Sequence, residues 1–209
     1  MRWTGVDEAG RGSVLGPMAV GAFTVDEARH AEVVATGVTD SKALSPRRRE
    51  ALVPLLEALG EARVRLVPAE AIDRGNLNEI ELDVIADLVR EARPDVVWID
   101  APCHPRGIPA WIRRLRARLA HRPRIVVEPK ADANYPLVGA ASVHAKVARD
   151  AAVRALGPVG SGYPSDPVTR ALLAGFLARG EPLPPWVRSR WGTLASLGAR
   201  GRLLPEPRR

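Results

Sequence analysis

A single cysteine, Cys103, stands in the 209-residue chain. It excludes an internal disulfide framework and any cysteine-based zinc site of ordinary spacing, and it points to a reducing compartment. Long apolar runs are missing too: none approaches the roughly 18 residues of a spanning helix. The N-terminus passes straight into strand-like sequence without a secretory pattern, so a soluble, cytoplasmic protein without a membrane partner is expected. His30, His104 and His121 share no metal-ligand spacing. Internal repeats and low-complexity blocks are also lacking, and a monomer with one main core is the default.

What the chain does have is an excess of basic residues, 31 Lys and Arg against 24 Asp and Glu, for a formal charge of +7. The excess favours a polyanionic partner, although arginine-rich composition also accompanies GC-rich genomes. Hydrophobic residues make up 46% of the chain, enough for one substantial core.

Arg2 to Asp7 and Pro17 to Val25 read as two strands, joined hairpin-like through a stretch punctuated by Gly10, Gly12 and Gly16. Ser45 and Pro46 open a helix with Leu52, Leu55, Leu56 and Leu59 on one face and Gly60 at its end. Val64 and Leu66 alternate with arginines as in a half-buried strand. Asn76 caps a long helix carrying Leu77, Ile80, Val84 and Leu88, and the strand Val96 to Ile99 follows, ending at Asp100. A basic amphipathic helix around Trp111 to Leu119, a short strand at Ile125 to Val127 and a helix from Pro136 to Leu156 come next, with Asp132 in the loop between the last two. Asp166 and Pro167 start a helix that ends at Gly180, and a last helical segment runs past Trp186 and Trp191. The expected fold is α/β, a mixed sheet flanked by helices with a helical C-terminal portion.

Four acids stand out. Asp7, Glu8 and Asp100 lie at strand ends and Asp132 lies in a loop just beyond one, the edge of an α/β sheet where sites assemble. Carboxylates gathered from distant positions suit hard divalent cations around a phosphate. Neighbours on a strand point to opposite faces, so Asp7 and Glu8 share a site only if the backbone bends before Gly10 and Glu8 swings back. Gly10, Arg11 and Gly12 let backbone approach a ligand closely. Ser142 and Lys146, one helical turn apart, and Lys42 are candidates for holding phosphates.

Residues Gly5 to Gly12, GVDEAGRG, resemble the opening signature of the type II RNase H family, and Asp40 to Lys42 resemble its DSK element. Lys130 to Asp150 resemble the segment around the family's last catalytic aspartate. Gly160 to Pro167, GSGYPSDP, resembles its tyrosine motif in the form of archaeal and eukaryotic members. Four motifs in the family's order span residue 5 to about 170.

The resemblance implies an RNase H-like catalytic core over 1–170 and a C-terminal helical extension over 171–209 with a frayed tail. It implies that Asp7, Glu8, Asp100 and Asp132 bind two Mg²⁺ or Mn²⁺ ions. It makes Gly10, Arg11, Gly12 and Tyr163 the sensor of a ribonucleotide 2′-OH, the group that separates RNA from DNA. The implied activity is endonucleolytic: cleavage of RNA in RNA/DNA hybrids and nicking 5′ of a ribonucleotide in duplex DNA, leaving 3′-OH and 5′-phosphate ends. Two departures are visible. Ser13 replaces a usual proline, which is expected to loosen the loop, and His144 replaces an aliphatic residue, as a hydrogen-bonded core side chain or a solvent-facing one. The alternatives are a type III RNase H, disfavoured because no N-terminal substrate-binding domain precedes the first strand, and a non-catalytic nucleic-acid-binding domain. The basic stretch Arg188 to Arg209 is read either as a clamp on duplex backbone or as a packed final helix.

Overall fold

The computed structural model describes residues 1–38 and 44–201, with side chains placed through residue 197. Among these, strands β1 (Arg2–Ala9), β2 (Met18–Asp26), β3 (Glu61–Val67), β4 (Val96–Asp100) and β5 (Arg124–Glu128) form one mixed sheet in the order β3-β2-β1-β4-β5. β1 pairs antiparallel with β2, and β2 with β3; β1–β4 and β4–β5 are parallel. The helices are α1 (His30–Ala35), α2 (Pro46–Glu57), α3 (Ala69–Arg74), α4 (Leu77–Ala92), α5 (Ile108–Arg118), α6 (Ala131–Asn134), α7 (Pro136–Arg154), α8 (Pro167–Arg179) and α9 (Gly192–Gly201).

Helices cover both faces of the sheet. On one, Val6, Val20, Val97 and Ile99 meet Leu82, Ile85 and Val89 of α4 and Trp111 and Leu115 of α5. On the other, Phe23 and Val25 meet Leu52 and Leu56 of α2 and Leu137, Ala140 and Ala141 of α7. α7 lies almost on the strands: a Cβ at Gly5 would stand 2.1 Å from the Leu137 carbonyl carbon, so only glycine fits there. The small residues Gly139, Ala140 and Ala141 allow this approach, and it brings the following turn of α7 over the end of β1.

The caps follow the sequence. The Ser45 and Asp166 side chains accept from Arg48 and Val168 amides, Asn76 accepts from Asn78 and Glu79, and Gly180 ends α8 in a left-handed conformation. Several expectations need correction. Leu55 and Leu66 are exposed, Leu55 on the rim of its helix face and Leu66 on the edge strand. Asp132 lies in a one-turn helix rather than a loop. Trp186 and Trp191 precede α9, because Pro182, Pro184 and Pro185 interrupt helical hydrogen bonding. The basic side of α5 is partly consumed within the protein, Arg118 reaching Asp83 at 2.6 Å and Glu79 at 3.1 Å on α4. Among the described residues no helix is long and apolar enough to cross a membrane.

Candidate active site

β4 pairs with β1 only from Trp3 to Val6, so the last turn of β1 has an open edge beside the end of β4. Asp7, Glu8 and Asp100 converge there: each offers a carboxylate oxygen within 4.8 Å of the others. The expected bend is not how this happens. β1 stays in register with β2 through Ala9, so Glu8 keeps the face opposite to Asp7, and the two side chains meet around the open edge where β4 has stopped. Asp7 pairs with Gly21, where a Cβ would stand 2.5 Å from the Ala141 carbonyl oxygen of α7, and the Glu8 amide donates to Asp7 Oδ1 at 2.8 Å.

Asp100 Oδ1 accepts from the Ala131 amide at 2.8 Å, which fastens α6 to the end of β4. Asp132 is the next residue and is buried. The four acids are therefore arranged as three in mutual reach plus a fourth on the adjoining turn. Ser142 and Lys146 of α7 are joined by a hydrogen bond of 2.5 Å and face Asp7.

The electrostatics are those of acids crowded together away from water. Burial raises the Asp7 carboxyl from 3.8 to about 6, against the Ser142 hydroxyl and the Lys146 charge, which favour its ionised form. Burial, then the charges of Asp7 and Asp100, raise Glu8 from 4.5 to about 8, with Arg11 opposing. An all-oxygen donor set of crowded, poorly solvated carboxylates fits a hard divalent cation of the Mg²⁺ or Mn²⁺ kind.

The loop after β1 is built from beneath. Gly10 has φ +77°, and a Cβ there would stand 2.3 Å from Arg149 Nε. Ser13, instead of loosening the turn, closes it: its hydroxyl donates to the Gly10 carbonyl at 2.8 Å, and its amide does so at 3.2 Å. The fully buried Arg188 donates to the carbonyls of Gly10, Arg11 and Gly16 at 2.8 to 3.2 Å and lies over Trp191. The tyrosine motif docks on the same loop, since the Val14 amide donates to Gly162 O at 2.8 Å. Tyr163, 38% exposed, has the Arg149 guanidinium over its ring at 4.7 Å.

Arg149 and Arg188 are thus site-supporting residues that sequence reasoning missed. Fully buried arginines cannot be told from solvated ones in a chain so rich in them, and within its segment Arg188 itself is packed inside the protein. Trp186 and Trp191 pack beside it against Val14 and Leu15. His144 is the core alternative, buried, stacked on Phe23 and hydrogen-bonded to Ala140 O at 2.8 Å. Lys42, with Asp40 and Ser41, lies outside the described residues.

A mixed sheet with clustered acids at the edge of its central strand, a lysine over them and a glycine-rich loop beside them defines a metal-dependent phosphodiester hydrolase of the ribonuclease H class. The family model described as Ribonuclease HII matches residues 4–194. The chain is similar to ribonuclease HII of Thermococcus sibiricus, 38% identical over 206 residues, covering 94% of this chain and 91% of the relative. In structure it is similar to ribonuclease H2 from Pyrococcus horikoshii, with TM-score 0.86, 36% identity and coverage of 97% of this chain and 99% of the other. It is also similar to the RNase HII of a PCNA:RNase HII complex from Archaeoglobus fulgidus, with TM-score 0.83, 36% identity and coverage of 91% and 95%. The chain belongs to the ribonuclease HII family. It is a hydrolytic nuclease of the kind that acts on RNA/DNA hybrids, and this membership favours type II over the type III alternative.

Proposed function

We propose that the protein is an endonuclease that cuts RNA in RNA/DNA hybrids and also nicks duplex DNA 5′ of an embedded ribonucleotide, leaving 3′-OH and 5′-phosphate ends. The observation that carries this reading is the convergence of Asp7, Glu8 and Asp100 at one open strand edge beside the loop of Gly10, Arg11 and Gly12. Asp7, Glu8, Asp100 and Asp132 would hold two cations, Mg²⁺ or Mn²⁺. Bound there, the cations supply activation of a water and charge stabilisation at the leaving 3′ oxygen.

The chain's own groups do the rest. Lys146 places a positive charge beside the carboxylates and, with Ser142, holds the phosphate next to the one being cut; Lys42 is assigned the same task. The space over Gly12 is open, so a sugar 2′-OH can reach the backbone there. Tyr163, backed by Arg149, packs against the adjoining sugar. Residues 1–170 serve as the catalytic core and 171–209 as a helical extension that supports the loop through Arg188. The enzyme is taken to work as a cytoplasmic monomer.

A labelled DNA duplex with one ribonucleotide, incubated with Mg²⁺ or Mn²⁺ and resolved on a denaturing gel, tests the reading. A nick immediately 5′ of the ribonucleotide, absent with chelator and with Asp7→Asn, is the expected result. Cleavage of a uniform hybrid without that nick would overturn the ribonucleotide claim, and binding without any cleavage would leave a non-catalytic module.

A further inference from the structure

Glu81 is 1% exposed on the face of α4 that packs against the sheet, where its neighbours Leu82 and Ile85 are apolar. A carboxylate is rarely buried this fully without a paired cation, and a well-packed apolar residue at the same place would stabilise the fold as well or better. Its partner is Arg11, the side chain of the glycine-flanked turn. Arg11 Nη2 also donates to Asn78 Oδ1 at 2.5 Å, one turn earlier on α4. The position of Asn78 is set in turn by the Asn76 cap, which accepts from its amide at 3.0 Å.

Two surroundings make this anchoring consequential. A cavity of about 500 Å³, bordered by Cys103, His104 and Trp111, opens beside the guanidinium, so an untethered Arg11 has room to swing away from the cleft. Glu8 is also close enough for its charge and that of Arg11 to act on each other. A freed guanidinium would be drawn toward that carboxylate.

We infer that Glu81, assisted by Asn78, is a positioning residue that holds the Arg11 guanidinium at the substrate cleft and away from the catalytic carboxylates. The buried acid exchanges some stability for a fixed guanidinium on a turn whose backbone Ser13 and Arg188 already hold. This inference rests on the reading that Arg11 contacts substrate.

The test is a double-mutant cycle of Glu81→Gln, Arg11→Ala and the pair, read by steady-state kinetics on the single-ribonucleotide duplex and by thermal unfolding. Glu81→Gln should raise KM roughly tenfold, the size of one charge-assisted contact, with kcat within about twofold. It should add nothing in the Arg11→Ala background. Arg11→Ala should melt below the double variant, because alone it strands a buried charge that the Glu81→Gln change removes from the pair. Arg11→Lys, which keeps the charge but cannot fork between Glu81 and Asn78, should reproduce the KM effect in a folded protein. Additive KM effects, or a fall in kcat alone, would overturn the inference. If the wild-type protein makes no nick at the ribonucleotide, the functional reading fails, while the unfolding cycle still decides the pairing by itself.

Discussion

The Arg188 guanidinium donates to the Gly10 carbonyl at 2.8 Å across 178 residues of sequence. With the Arg11 and Gly16 carbonyls held by the same group, the loop turns its acceptors inward and leaves its outer side to substrate. Burial and the nearby Arg149 lower the Arg188 pKa to about 10, which still leaves it charged at neutral pH. Arg188→Met keeps much of the volume but takes the donor from the Arg11 and Gly16 carbonyls, each worth about 1–3 kcal/mol, while the Gly10 carbonyl keeps Ser13 as its donor. We expect a loss of at least about 2 kcal/mol in denaturant unfolding, with a raised KM in the protein that remains folded. Arg188→Lys should recover little, because an ammonium group cannot reach three carbonyls in a planar fan. Unchanged stability in either variant would remove Arg188 from its supporting role.

Tyr163 is only partly covered and its contacts are with Arg149, so its replacement should spare the fold. Tyr163→Phe retains the ring that packs on a sugar and should cleave the single-ribonucleotide duplex at nearly the wild-type rate. Tyr163→Ala should lose about tenfold in kcat/KM, in keeping with an aromatic contact of roughly 1–1.5 kcal/mol. Equal kinetics for the two variants would show that the ring does not touch substrate.

The raised carboxyls of Asp7 and Glu8 set a direction for pH dependence in the metal-free protein. Both groups bind protons more tightly when folded, chiefly because burial penalises their charge. Their contribution to stability is therefore fully present below the unfolded values of 3.8 and 4.5. It is lost as pH rises through about 6 and about 8. In chelator, the wild-type protein should lose stability relative to Glu8→Gln between about pH 5 and pH 9, and the carboxamide variant should be the more stable at the alkaline end. Mg²⁺ or Mn²⁺ should stabilise the wild type there and have much less effect on the variant. Parallel stability curves for the two proteins would refute the assigned environment of Glu8.

Much of this site is legible in the sequence because its parts sit where local chemistry speaks. Asp7 and Asp100 follow apolar runs that read as strands, and the Asn76 and Asp166 caps mark their helices without any tertiary information. What is illegible depends on the third dimension. The register that ends β4 short of β1, and so lets Glu8 join Asp7 from the opposite face, has no signature in either strand alone. Arg149 and Arg188 look like any other arginine until the loop is folded over them, and Glu81 reads as an ordinary helix acid. The stretch through Trp186 and Trp191 reads as part of a last helical segment, although its three prolines already argue against it.

Gly10 and Gly12 flank the same arginine but are glycines for different reasons, and one substitution at each separates them. At Gly10 the left-handed φ alone costs a side chain about 1–2 kcal/mol. The added Cβ also runs into Arg149, the group that backs Tyr163. Gly10→Ala should therefore lower stability and activity together. At Gly12 a Cβ meets no protein atom within 4 Å, so Gly12→Ala should stay within about 0.5 kcal/mol of wild type in unfolding. Its methyl group projects instead into the space where the ribose is placed, so kcat/KM on the ribonucleotide duplex should fall with no matching loss of stability. A Gly12→Ala protein as active as wild type would mean that the substrate passes elsewhere, whatever the fate of Gly10.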